Sequence, residues 1–398
     1  MTTPKKPSLL TENSSALIDL ARWSAALLVL MEHARHMLLA NGSDVTHPTL
    51  FTKAFYLLTS LGHSAVIVFF IISGFLVGGL TVLRLRKAPF SLRDYASKRI
   101  SRIYVVLLPA LVLGGLLDFL GWQFFNVDEI YTFPQHLNLA SLPVAPVTRL
   151  DLLHFVDNLA LIQANGVFGS NGPLWSLSYE WWYYWIFAAV IVALSGSPLA
   201  RACALAGLVL MLTFLPAALL LWGVIWLMGV AIALLADRFA FRPPVLLAAL
   251  LAGATFAAPI LARDSASVLT KFGLDLICAI GFSALLLSVC REEGIFRKLP
   301  RLNTRLADFS YSTYLFHFPT LILLTGALDT IWGIPPLHQP DLFGLALFVV
   351  VCTLLVLGAY VFSLFTERHT AAVRFWLERN LPGGSARTAA HPPRPRGV

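Results

Sequence analysis

The chain has 398 residues, of which 58% are hydrophobic and 13% are charged, and its mean hydropathy is +0.76. Soluble proteins carry about 25% charged residues, and a single water-soluble core cannot contain this much apolar surface. The composition therefore excludes an ordinary soluble globular protein and indicates a protein embedded in a membrane.

Ten apolar runs, most of them about 20 residues long, predict an all-α integral membrane protein. In chain order these predicted spans are 16–39, 64–84, 103–121, 176–195, 202–216, 217–236, 244–261, 270–290, 310–327 and 342–366. The pair within 202–236 is the least distinct, because Pro216 alone separates two short segments.

Basic residues predict the orientation of these spans, because Lys and Arg in short loops stay on the cytoplasmic side. When ten helices alternate, four basic segments fall on one side and both termini are cytoplasmic. These segments are the N-terminal tail 1–15, the loop 84–102, the loop 291–305 and the tail 367–398. Membrane topology thus accounts for the net charge of +8, and no nucleic-acid partner is expected.

The predicted domain organisation follows from these spans. Residues 1–15 form a cytoplasmic N-terminal tail, residues 16–366 form the ten-helix membrane domain with an external loop at 122–174, and residues 367–398 form a basic, disordered cytoplasmic tail. The four cysteines are dispersed, so neither a disulfide framework nor a metal site is expected. The expected location is the inner or plasma membrane, with lipid as a partner.

Arg22 and His33 stand eleven residues apart in the first predicted span. Eleven residues make about three helical turns plus 20°, so both side chains share one face, about 16 Å apart along the axis. Because ionisable groups inside a span are costly and mark functional pathways, this stripe indicates a track for an elongated anionic molecule. The structural alternative is that Arg22 snorkels to the inner surface and His33 bonds a neighbouring helix.

The second predicted span carries Ser73 among Gly62, Gly74, Gly78 and Gly79. Small residues allow helices in lipid to approach closely, so tight packing is one explanation. The functional alternative is that Ser73 and the glycines leave a gap for the acyl chain or thioester of a ligand.

Arg99 and Arg102 are three residues apart and share a helix face at the cytoplasmic mouth of the third predicted span. They either anchor the span by the positive-inside rule or form a fork for phosphate, which arginine binds bidentately.

Glu180 stands at the start of the fourth predicted span, within the aromatic run that begins at Trp175. An interfacial aromatic belt explains the tryptophans and tyrosines, but it does not explain a carboxylate. Counted from the outer end, Glu180 is about 7 Å deep and His33 about 10 Å deep. The two could therefore meet, with Glu180 orienting or charge-balancing the imidazole of His33.

The ninth predicted span places His317 near mid-membrane, with Tyr311 on the approach and Pro319 two residues beyond. Pro319 is expected to free a backbone carbonyl nearby. A cluster of hydrogen bonds that packs helices together is the alternative to a functional role.

These five patches, in this order, resemble the membrane acyltransferase-3 family. The likeness covers about residues 16–366 and rests on five motifs, which are Arg22 with His33, FFIISG at 69–74, Arg99 with Arg102, PLWSLSYE at 173–180 and SYSTYLFHFP at 310–319. Two details depart from the family pattern: Lys98 with Arg99 stands where two arginines are common, and WWYYW follows Glu180 where Gln-Phe-Tyr is common. The second departure affects the expected acceptor site.

The resemblance implies an O-acyltransferase that takes an acyl group, most often acetyl, from acyl-CoA and gives it to an extracytoplasmic sugar or related acceptor. The expected donor is acyl-CoA, with its phosphates on Arg99, Arg102 and Arg22 and with Ser73 near the thioester. His33 is the expected general base, since histidine is tuned for proton transfer near neutral pH. Ser73, Trp175 and Tyr311 are candidates for stabilising the oxyanion.

Several alternatives stay open at this point. Direct transfer and an acyl-enzyme route are both possible. The acceptor is a polysaccharide, a lipid-linked sugar, a peptidoglycan unit or a hydrophobic small molecule. A transporter or flippase for a lipid-linked or anionic substrate is the main rival function, since intramembrane charges suit one. A purely structural membrane protein leaves the stripe of Arg22 and His33 unexplained.

Overall fold

The computed structural model describes residues 10–239, 241–262, 267–290 and 300–380. The described residues form fifteen α-helices and no β-strand. In chain order the helices are α1 (Glu12–Leu38), α2 (Leu50–Leu58), α3 (Gly62–Ser73), α4 (Leu80–Leu85), α5 (Leu92–Phe124), α6 (Leu152–Leu159), α7 (Leu174–Ser195), α8 (Pro198–Phe214), α9 (Ala217–Arg238), α10 (Val245–Phe256), α11 (Val268–Val289), α12 (Pro300–Ala307), α13 (Ser310–Trp332), α14 (Leu342–Phe365) and α15 (Thr370–Asn380). The predicted all-α class is confirmed.

Eight helical segments are long and apolar enough to cross a membrane. They are Glu12–Leu38, Leu50–Leu85, Leu92–Phe124, Leu174–Ser195, Ala217–Arg238, Val268–Val289, Ser310–Trp332 and Leu342–Asn380. The predicted spans 202–216 and 244–261 correspond to shorter apolar helices, Pro198–Phe214 and Val245–Leu261. The protein is thus a multi-pass membrane protein. Its predicted orientation, with cytoplasmic termini, stays a prediction.

Helix α1 packs against several helices of the bundle. A capping box begins it, in which the Thr11 hydroxyl accepts the Ser14 N–H and the Ser14 hydroxyl accepts the Thr11 N–H. Helices α3, α13 and α14 pack along it, and α12 packs against its first turns. Ala25 and Ala34 are buried at these contacts, since small side chains let helices approach closely. We call the two ends of the bundle the Arg22 end, where α1 begins, and the His33 end, where α1 finishes.

The predicted third span, 103–121, is longer in the structure. Helix α5 runs from Leu92 to Phe124, with Ser91 capping its first turn by accepting the Asp94 N–H. The paired arginines therefore sit within the helix, about two turns after its start, where long cationic side chains reach toward the Arg22 end.

The segment 122–174 folds back onto the bundle. Tyr131, fully buried, packs directly against Gly121 of α5, and the Ser170 N–H donates to the buried carboxylate of Asp118 at 2.7 Å. Leu139 and Leu142 join a hydrophobic cluster with the last turns of α1. This segment thus covers the His33 end and fixes the start of α7.

Residues 367–380, the described part of the tail 367–398 that was expected to be disordered, are helical. A 3-10 turn and helix α15 follow α14, and α15 packs against α5. The Arg93 guanidinium bonds the Glu378 carbonyl, and an ion pair between Arg374 and Glu378 supports the helix. Residues 381–398 lie outside the described residues, as do the basic positions 1–9 and 291–299.

Candidate functional site

The interior of the bundle near the His33 end holds a pair of histidines. His33 Nδ1 lies 2.9 Å from His317 Nε2, and the two rings stack with centroids 5.2 Å apart. His317 is fully buried, whereas His33 is half-buried and also packs against the ring of Phe318. The structure therefore brings together the two histidines predicted from separate motifs.

Hydrogen bonding determines which nitrogen of each ring carries the proton. His317 Nδ1 lies 3.0 Å from the Thr313 carbonyl oxygen, which only accepts, so Nδ1 is the protonated nitrogen of His317. His317 Nε2 is then an acceptor, and His33 Nδ1–H donates to it. Among the described residues, no hydrogen bond engages His33 Nε2, which keeps its lone pair. This is the atom that a general base needs.

Residues at the start of α7 bind α13, the helix that carries His317. Pro319 has no N–H, so the Leu315 carbonyl one turn earlier lacks its helical donor, and Asn171 Nδ2 donates to it at 3.1 Å. The Tyr314 hydroxyl donates to the Pro173 carbonyl at 2.9 Å and lies 2.6 Å from the Ser176 hydroxyl. The prediction that Pro319 frees a carbonyl is confirmed. The freed Leu315 oxygen connects α13 to the segment just before α7.

Glu180 does not contact His33. Its carboxylate accepts the Tyr184 hydroxyl, one turn later on α7, and the described residues provide no hydrogen bond between Glu180 and His33. The predicted pairing is not seen, since the Glu180 carboxylate binds Tyr184 and the Nδ1 side of His33 faces His317 of α13. The catalytic role predicted for Glu180 stays untested.

Ser73 belongs to the same polar chain as Glu180. Trp226 Nε1 donates to the Ser73 hydroxyl at 3.1 Å, and the Ser73 hydroxyl donates to the Tyr184 hydroxyl at 3.3 Å. The Tyr184 hydroxyl in turn donates to Glu180. These hydrogen bonds therefore link α9, α3 and α7, and the last of them ends on the Glu180 carboxylate.

The glycines around Ser73 serve helix packing. A Cβ atom on Gly74 would collide with the Trp226 carbonyl oxygen, and one on Gly229 of α9 would collide with the Ile71 carbonyl oxygen. Gly79 abuts Ala233 in the same way. Helix α9 fills the space that the glycines leave, so the predicted gap for an acyl chain at Gly74, Gly78 and Gly79 is wrong.

The Arg22 end holds a cluster of opposite charges. Arg102 Nη1 lies 2.7 Å from Glu367 Oε1, and Glu367 Oε2 accepts the N–H and hydroxyl of Ser312 at 2.9 and 3.0 Å. Arg22 lies within electrostatic range of Arg102 and Glu367. Arg102 therefore differs from the other two predicted phosphate ligands, because it is already paired with the buried carboxylate of Glu367.

Arg99 differs from Arg102 in its surroundings. Its guanidinium lies over the rings of Tyr95 and Tyr184, 5.4 Å from each centroid, and no carboxylate among the described residues pairs with it. Arg99 is therefore the cation of the predicted fork that is better placed to receive a phosphate.

The two other oxyanion candidates, Tyr311 and Trp175, have different surroundings. Tyr311 packs under the Arg102 guanidinium, 5.0 Å from its centre, and its hydroxyl donates to the Ile103 carbonyl. It belongs to the Arg22 end, so a role for Tyr311 beside His33 is not supported. Trp175, in the first turn of α7, stacks on His63.

Sequence reasoning missed two charged residues that the structure puts in prominent positions. Glu367 directly follows the tenth predicted span, and Asp275 lies inside the eighth. Each is buried and accepts several hydrogen bonds. A carboxylate in or beside an apolar run is the signal that would have found both.

A comparison with known protein families shows to which family this chain belongs. The model of the acyltransferase domain of the acyltransferase-3 family matches residues 16–364. This chain belongs to the acyltransferase-3 family. The matched range includes every candidate from Arg22 to His317 and ends before Glu367.

Two curated relatives share part of this acyltransferase-3 sequence. An O-acetyl transferase of Shigella phage Sf6 is 30% identical over 186 residues, which is 46% of this chain and 47% of the relative. An uncharacterised protein of Haemophilus influenzae is 27% identical over 131 residues, which is 31% of this chain and 47% of the relative. The chain thus spans about half the length of these curated relatives. No solved structure matches it.

Proposed function

We propose that this acyltransferase-3 protein is an O-acyltransferase that moves an acetyl group from acetyl-CoA to a hydroxyl of a carbohydrate or related acceptor. The donor binds at the Arg22 end, on the cytoplasmic side by the predicted orientation, and the acceptor enters at the His33 end. Membership of the family and the phage O-acetyl transferase support acyl transfer to oxygen. The expected membrane is the inner or plasma membrane.

The observation that carries the proposal is the hydrogen-bond chain from the Thr313 carbonyl through His317 to His33. It leaves a lone pair on His33 Nε2 inside a membrane helix, where an imidazole without a task would be costly. A neutral imidazole held in one tautomer is suited to removing a proton from an alcohol.

The reaction balances with the groups available. The acceptor O–H gives its proton to His33 Nε2 as the oxygen attacks the thioester carbonyl. The tetrahedral intermediate then expels the thiolate of CoA, which takes the proton back from the imidazolium. His317 stays the acceptor of the His33 Nδ1–H throughout, so it holds the ring and stabilises its transient charge.

The donor end contributes binding. Arg99 and Arg22 present cations beside the Arg102–Glu367 pair, and arginine suits the phosphates of CoA. The rise of about 16 Å along α1 from Arg22 to His33 is comparable to an extended pantetheine arm. Ser73 and Tyr184, whose hydroxyls are linked inside the bundle, would have to exchange that hydrogen bond to bind the arm.

The test compares wild type with His33→Ala in reconstituted membranes and in cells. Wild type is expected to release CoA from acetyl-CoA and to add acetyl groups to cell-envelope glycans, as measured by thiol titration and mass spectrometry. His33→Ala is expected to lose about 10²–10⁴-fold in rate while acetyl-CoA binding persists. A variant that acetylates at the wild-type rate refutes the assignment, and substrate uptake without CoA release favours a transporter.

A further inference from the structure

A second imidazole site, separate from the pair of His33 and His317, lies at the His33 end. His63 Nε2 is 3.0 Å from both carboxylate oxygens of Asp275, and Trp222 Nε1 donates to one of them at 2.7 Å. Asp275 is 1% exposed, whereas the His63 side chain is 45% exposed. A buried carboxylate therefore holds an imidazole that reaches the surface.

The helices place this group at the mouth of the bundle. His63 is the second residue of α3 and Trp175 the second of α7, and their rings stack with centroids 6.2 Å apart. Gly62 packs directly against the side chain of Glu32, the residue before His33. His63 and Trp175 therefore lie at the same end of the bundle as His33, beside an adjacent face of α1.

The tautomer of His63 follows from its partner. The carboxylate of Asp275 accepts, so His63 Nε2 carries a proton, and in the neutral ring Nδ1 carries the lone pair. Nδ1 has no hydrogen-bond partner among the described residues. An acceptor atom on a partly exposed imidazole that stacks beside a tryptophan suits a ring compound with hydroxyl groups, which packs against the aromatic pair and donates O–H to the imidazole.

The charges around His63 select against an anion. Among the described residues, the charged groups within its electrostatic range are two carboxylates, Asp275 and Glu32, and one ammonium, Lys271. From these groups a phosphate would meet net negative charge, whereas a neutral polyol would not. This distinguishes the site from the cationic Arg22 end.

We propose that His63, oriented by Asp275 and flanked by Trp175, binds the sugar ring of the acceptor by accepting a hydrogen bond from one of its hydroxyls. The inference rests on the proposed function and adds the residues that select the acceptor. Asp275 acts through His63 and is a positioning residue.

The kinetic test uses methyl α-D-glucopyranoside as the acceptor probe and acetyl-CoA as the donor, with the full-length protein in lipid nanodiscs. His63→Ala is expected to raise the KM for the glucoside at least tenfold and to change the KM for acetyl-CoA less than twofold. Asp275→Asn is expected to raise the glucoside KM less, and to add nothing in the His63→Ala background. His47→Ala, which removes an exposed histidine in the loop after α1, is the matched control.

A second measurement does not depend on turnover. Diethyl pyrocarbonate modifies accessible imidazoles, and mass spectrometry of peptides reads His63 and His47 separately. The glucoside is expected to protect His63 and not His47, and inorganic phosphate is expected to protect neither. Protection by phosphate, or an unchanged glucoside KM in His63→Ala, overturns the inference.

The outcomes separate the two proposals. If wild type releases CoA but the glucoside is neither acetylated nor protective, the sugar site is wrong and acyl transfer stands. If wild type releases no CoA under any condition, acyl transfer is wrong, and protection of His63 by the glucoside still supports a carbohydrate site.

Discussion

His33 Nδ1 and His317 Nε2 are 2.9 Å apart although 284 positions separate the two residues in the chain. The contact joins the first spanning helix to one near the C-terminal end of the chain. It gives His33 its orientation and its tautomer, because His317 is itself fixed by the Thr313 carbonyl. The candidate base is thus set by a neighbouring helix, in the way that a carboxylate sets the histidine of a catalytic triad.

His317 is expected to act through His33, which gives a graded prediction. His317→Ala removes the acceptor of the His33 Nδ1–H, and kcat is expected to fall about 10²-fold, within the range of a general base. His317→Gln keeps an amide oxygen that can accept this proton and is expected to retain more activity. Steady-state CoA release measures both, and equal rates for Ala, Gln and wild type would remove His317 from the mechanism.

Glu180 provides a contrast to His317. Because its carboxylate bonds Tyr184 and not His33, Glu180→Gln is expected to lower kcat by less than His317→Ala does. The amide can still accept the Tyr184 hydroxyl, so the fold should be maintained. The comparison is made at saturating donor and acceptor. A loss as large as that of His33→Ala would restore Glu180 to the proton-transfer step.

Arg99 and Arg102 are expected to differ in donor binding. Arg99→Ala should weaken acetyl-CoA binding about tenfold or more, the loss expected when one charge-assisted hydrogen bond is removed. Arg102→Ala should also lower the melting temperature, because it leaves the carboxylate of Glu367, 4% exposed, without its cation. Isothermal titration calorimetry and thermal unfolding separate the effects, with exposed Arg201→Ala as the control. Unchanged donor affinity in Arg99→Ala would refute a phosphate site there.

Gly74 and Gly229 are expected to tolerate no side chain. Gly74→Ala forces a methyl group into the Trp226 carbonyl, and overpacking of this kind costs about 1–3 kcal/mol. Gly207→Ala, on α8 with nothing within 4 Å of the added carbon, should leave the melting temperature unchanged or raise it, since alanine favours helix. A Gly74→Ala protein as stable as wild type would show that α3 and α9 can separate to admit a ligand.

The sequence was sufficient to predict most spanning helices, because a helix in lipid satisfies its own backbone and needs only a long apolar run. It also predicted His33 and His317, since histidines inside such runs stand out. It did not predict that α5 begins at Leu92 or that α15 forms, because polar helices that pack on other elements lack that signal.

Partners across helices could not be predicted from spacing alone. Depth along a helix puts Glu180 near the level of His33, but depth leaves the rotation and the neighbour of each helix undetermined. In the structure, His317 binds His33, Tyr184 binds Glu180 and Glu367 binds Arg102.

By itself, the amino-acid order determined which segments enter the membrane and which polar groups they carry there, because the transfer of each residue into lipid is a local cost. Only the tertiary structure decided which of those polar groups meet, and so which nitrogen of His33 is free. That choice depends on close packing between helices, as at Gly74 and Gly229, where a single carbon atom would change the distance between two spans.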